Sequence, residues 1–118
     1  TTYELWPTAK QTLRIYQNNL TETGNWIGFR FREEGPGRSP IGLRMTVQSG
    51  KTQMVREIVT GDSYRSQHAP TVHFGLGTID RIDQVLVRWP GGMTLTLTNP
   101  VLNSYHLLRP ENRATISR

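Results

Sequence analysis

Short runs of alternating apolar and polar residues, each closed by glycine, proline or asparagine, limit this chain more than any other feature. Ile27, Phe29 and Phe31 alternate with Gly28, Arg30 and Arg32, and Leu43, Met45 and Val47 alternate with Arg44, Thr46 and Gln48. The same period continues through Phe74 and Leu76, through Val85, Val87 and Trp89, and through Met93, Leu95 and Leu97. A period of two sends successive side chains to opposite faces of an extended strand, so each run predicts a strand with one buried face. Composition agrees: Thr, Val and Ile fill 29 of 118 positions, whereas alanine, the best helix former, occurs three times.

Turn chemistry orders the strands. Ser49-Gly50-Lys51 predicts a tight reversal into a partner strand from about Thr52 to Thr60. In Trp89-Pro90-Gly91-Gly92, proline presets φ at the second turn position and glycine accepts a positive φ at the third. Ile82 and Leu86 opposite Val85, Val87 and Trp89 predict a central strand covered on both faces. His73, Gly75 and Gly77 share a face of bare backbone, which Trp26 or Trp89 is expected to cover. Ser104 to Leu108 reads as the final strand, and 111–118 as a polar tail that frays. Leu13 to Gln17 fits either a helix face or a short strand. The fold class is therefore all-β, an antiparallel β-sandwich or squat barrel of seven to eight strands with little or no helix.

One domain exhausts this length, which leaves no room for a dinucleotide-binding unit plus a substrate domain. No apolar run approaches the ~20 residues of a membrane span. With no cysteine, disulfides and thiolate metal sites are excluded. Fourteen basic residues against nine acidic give a net charge of +5, which favours acidic partners without identifying one. No nucleic-acid signature accompanies that charge, so nucleic acid is not an expected partner.

Four landmarks occur in order: Asn25-Trp26-Ile27-Gly28, Ile41-Gly42-Leu43-Arg44-Met45-Thr46-Val47, Gly61-Asp62-Ser63-Tyr64-Arg65-Ser66-Gln67 leading to His73-Phe74-Gly75-Leu76-Gly77, and Val87-Arg88-Trp89-Pro90 with Gly92. Together they resemble the ASPIC/UnbV domain, found near the C-terminus of extracellular proteins that carry FG-GAP or VCBS-type propeller repeats. The resemblance covers roughly Asn25 to Leu108 and implies a domain over 24–110, with 1–23 as the remnant of a preceding propeller repeat. It further implies an exported or cell-surface setting, an adjacent propeller domain in the parent chain, and a module without catalysis. Pro40 stands where the family more often has glycine, and the loop Gly35 to Ser39 is peculiar to this chain.

The residues themselves point to no reaction. Asp62, Ser66 and His68 sit in one loop without the framing of a nucleophile elbow, and Asp62, His68 and His73 lack the helical register of a zinc motif. Asp80 and Asp83 lack the pattern of a calcium loop, so no metal and no cofactor is expected. His73 is expected to bond backbone at a strand end.

Two sets of candidate ligand-binding residues stand beside structural alternatives. The loop from Gly61 to Pro70 offers Tyr64, Arg65, Gln67 and His68, although Tyr64 can plug the sandwich end and Gln67 can bridge to a neighbouring strand. Arg30, Arg32, Arg44 and Arg56 predict outward-looking basic positions, of which Arg30 and Arg44 are the candidates for an acidic ligand. Trp26 and Trp89 read as packing residues and Trp6 as the freest platform. The family resemblance, with the absence of a catalytic constellation, implies a non-catalytic accessory domain of an exported or cell-surface propeller protein that makes protein or matrix contact. The alternative is a glycan-binding module using an Arg-rich sheet face and an exposed tryptophan.

Overall fold

The computed structural model describes residues 14–32, 39–61 and 67–109, together with the backbone of 114–117. Eight strands run in chain order: β1 (Asn25–Phe31), β2 (Arg44–Ser49), β3 (Thr52–Glu57), β4 (Thr71–Gly77), β5 (Gln84–Arg88), β6 (Thr94–Thr98), β7 (Tyr105–Leu108) and β8 (Ala114–Ser117). They form two four-stranded sheets, ordered β4-β1-β7-β8 and β3-β2-β5-β6. The described residues contain no helix, as the alternation predicts.

The inward residues of both sheets meet in one core. Ile27, Phe29 and Phe31 of β1 and Val72, Phe74 and Leu76 of β4 face Met45 and Val47 of β2 and Val85 and Val87 of β5. Phe29 and Phe74 meet edge to face at 6.2 Å, and Phe31 meets the buried Trp89 in the same way at 6.5 Å. This aromatic contact comes in addition to the burial that drives the two sheets together.

Four expectations are corrected. The first sheet is mixed, because β1 and β7 run parallel while every other pair is antiparallel. Five strands intervene between β1 and β7, β4 in the first sheet and the other four in the second, and so long a connection permits the parallel return. Leu86 is 38% exposed, so β5 is central yet covered on one face only; the buried Ile82 that suggested a second cover precedes the strand. Ala114–Ser117, read as part of a fraying tail, pairs with β7, which would otherwise present an open ladder. In the Trp89 turn the positive φ falls on Gly92, at 86°, rather than on Gly91; the Gly92 N–H closes the turn onto the Trp89 carbonyl at 3.0 Å. Residues 14–20 are exposed and belong to neither helix nor strand.

The β2–β3 hairpin is tied down from outside. Asp83 Oδ2 accepts the Gly50 N–H at 2.7 Å, and Oδ1 accepts from the Arg81 guanidinium at 2.9 Å. The bond from Gly50 holds the Asp83 carboxyl below the ordinary carboxylate range; desolvation opposes this and Arg81 reinforces it. A folded-state pKa below the unfolded one contributes stability that is complete above the unfolded value and is lost as pH falls through the folded value. Asp83→Asn is therefore expected to flatten the acid limb of a stability-against-pH curve measured by urea unfolding. Superimposable curves for the two proteins would show that this carboxylate does not contribute to acid sensitivity.

Candidate functional site

Gly28 lies at the centre of the outer face of the first sheet. Its inward neighbours Ile27 and Phe29 are buried, so Trp26, Gly28 and Arg30 project outward in a row along β1. Across the sheet Gly28 is opposite His73 of β4 on one side and Tyr105 of β7 on the other. Because Gly28 has no side chain, the Tyr105 ring settles over its backbone, where a Cβ would collide with two ring carbons.

The notch organises four side chains. The Tyr105 ring lies 5.0 Å from Trp26, and the Arg30 guanidinium carbon stands 4.3 Å above the Tyr105 ring. His73 stacks on Trp26 at 5.1 Å with the planes 22° apart, which replaces the expected bond from His73 to backbone. Trp26 and Tyr105 are half-buried, whereas Arg30 and His73 are exposed. Trp26 is held from behind: its N–H donates to Asn103 Oδ1 at 3.0 Å, and its carbonyl accepts the Asn103 N–H at 2.7 Å. Asn103 adopts a φ of 55°, a left-handed conformation that asparagine tolerates better than most residues. An aromatic cluster topped by a guanidinium presents flat apolar area and oriented donors together, which suits recognition of a polar surface.

The outer face of the second sheet is a different kind of surface. Arg44 faces Glu57 across β2–β3 and Arg88 across β2–β5. One row further, Thr46 faces Val55 and Leu86; beyond that, Gln48 faces Gln53 and Gln84. Thr94, Thr96 and Thr98 of β6 complete the three rows beside Arg88, Leu86 and Gln84. A depression of about 190 Å³ is lined by Arg44, Thr46, Gln53, Val55, Leu86 and Arg88.

These positions revise the sequence-based candidates. Arg30 and Arg44 are both exposed but belong to the outer faces of opposite sheets, so a single Arg-rich face does not form. Arg56 pairs with the inward Met45 and reaches over the core edge to within 6.0 Å of the Phe74 ring. Gln67 closes its loop, donating to the Val59 carbonyl at 3.1 Å and accepting the Gly61 N–H at 3.4 Å. His68 lines a small cleft beside it with Ile58, Ala69 and Thr71. Tyr64, Arg65, Asp62, Ser66 and Trp6 lie outside the described residues.

Sequence reasoning missed Tyr105 and the role of His73. The signal was present in Gly28, a glycine within an otherwise bulky strand, which marks close approach by a neighbouring group. Among the described residues no three His, Asp or Glu side chains converge as metal ligands would, and no helix is long and apolar enough to cross a membrane.

Fold and surface together define a two-sheet β-sandwich domain with two chemically distinct outer faces. The model of the ASPIC and UnbV family matches residues 33–115, more than half of the chain, and the chain belongs to that family. Neither the curated proteins nor the solved structures returned a match.

Proposed function

We propose that this chain is a non-catalytic accessory domain of an exported or cell-surface protein, and that it makes protein or matrix contact through the outer face of β4-β1-β7. The supporting observation is the Trp26, His73, Tyr105 and Arg30 cluster around Gly28. Half-exposed aromatic rings and arginine are the residue types that dominate the energetics of interfaces, because they bring large apolar area and directed donors at little conformational cost. Membership of the ASPIC and UnbV family supports the accessory role, and an adjacent propeller domain in the parent chain is part of the same reading.

The reading is tested with a film of collagen and laminin on a resonance sensor. Native domain is expected to bind, while Arg30→Ala and His73→Ala, both at exposed side chains, are expected to weaken binding roughly tenfold each, as central interface residues do. Equal binding by both variants, or none by the native domain, would reject contact through this face. Any turnover abolished by His68→Ala would overturn the non-catalytic assignment.

A further inference from the structure

We infer that the outer face of the second sheet is a binding site for an acidic saccharide, with Arg44 and Arg88 receiving its anionic group. The inference is independent of the aromatic face and of the contact proposed for it. Arg44 and Arg88 stand directly opposite each other across the β2–β5 ladder, an arrangement of like charges that is unfavourable in the absence of a counter-charge. Glu57 faces Arg44 from β3 yet forms no ion pair with it among the described residues, where Arg81–Asp83 is the ion pair present. Two guanidinium forks side by side match the oxygens of a carboxylate or sulfate, which accept paired N–H bonds in one plane.

The rest of the depression suits the body of a sugar. Leu86 and Val55, 38% and 37% exposed, form an aliphatic floor one row from the arginines, about 6.6 Å along the strand. The C–H face of a pyranose can cover that floor and remove it from water. Gln53 and Thr46 line the same depression and supply amide and hydroxyl groups that both donate and accept, as sugar hydroxyls require. An acidic peptide would use the arginines, but in the middle of a sheet face it would find no open strand edge with which to pair its backbone. The saccharide is thus the ligand for which all parts of the depression have a use.

Affinity electrophoresis in gels containing polygalacturonate, heparin, dextran or polyglutamate tests this directly. The native domain is expected to be retarded by polygalacturonate, heparin or both, which separates carboxylate from sulfate recognition, and not by neutral dextran. Arg44→Gln and Arg88→Gln are expected to weaken that binding by about tenfold or more, in keeping with loss of a charge-assisted pair. Leu86→Ser is expected to weaken it less, and Arg14→Ala, at an exposed position outside both sheets, to leave it unchanged. The thermal midpoints of the two glutamine variants should equal or exceed that of the native domain, since each relieves the like-charge pair, and this separates lost binding from lost folding. Absence of retardation by either anionic glycan, equal retardation by polyglutamate, or retention of binding in the glutamine variants would overturn the assignment.

Discussion

A chain beginning at Glu33, the first residue matched by the family model, is expected to remain unfolded, whereas one beginning at Gly24 folds cooperatively. The difference is β1, which lies wholly before the matched segment and yet sits between β4 and β7. Without it both of those strands lose a hydrogen-bonded neighbour, and the core loses Ile27, Phe29 and Phe31. Truncating one such buried side chain costs about 2–5 kcal/mol, and a domain of this size has only about 5–15 kcal/mol in all. Losing three side chains and two ladders together therefore exceeds what the domain can spare. Amide proton dispersion in a heteronuclear spectrum is the measurement. A well-dispersed spectrum and a sigmoidal urea transition for residues 33–118 would show that the second sheet sustains the fold alone.

That dependence explains why parts of the fold were readable in the sequence. The alternation of Ile27, Phe29 and Phe31 announces a strand because one of its faces is buried, and burial is what selects period two. The same reasoning located Leu43, Met45, Val47, Val85 and Val87, all of them core residues. It could not supply the parallel pairing of β1 with β7, since alternation along a strand carries no information about the direction of its neighbour. It also misjudged Leu86: one apolar residue on an outer face is common in soluble domains, so its presence does not demand a second covering layer.

The site was less legible than the fold for a related reason. Counting arginines along the chain identifies outward positions, but whether Arg30 and Arg44 share a surface depends on which sheet each strand joins. Conversely, Trp26, His73, Arg30 and Tyr105 are scattered over almost eighty positions and meet only because Gly28 has strand neighbours on both sides. In the sequence Gly28 reads only as one of the outward positions alternating with Ile27, Phe29 and Phe31; the structure shows it as the position around which the cluster is assembled.

Gly28→Ala is accordingly expected to be strongly damaging, although Gly28 lies on the outer side of its sheet, buried under the Tyr105 ring. The added Cβ would occupy space held by two carbons of the Tyr105 ring, and the ring has Trp26 on one side and Arg30 on the other. Gly28 cannot retreat easily, because its N–H is bonded to the Ser104 carbonyl at 3.0 Å and its strand is paired on both edges. Overpacking of this kind costs about 1–3 kcal/mol, which for a domain of this length lowers the thermal midpoint by roughly 4–12 °C. Because the collision is with one ring, the cost should depend on that ring: in the Tyr105→Ala background the same exchange is expected to be nearly neutral, giving a coupling energy of about 1–3 kcal/mol in a double-mutant cycle. Calorimetric melts of the four proteins decide the matter. A midpoint unchanged by Gly28→Ala, or an equal loss with and without Tyr105, would mean that the ring does not rest on Gly28 in solution. The cluster proposed as the contact surface would then lack the notch that holds it together.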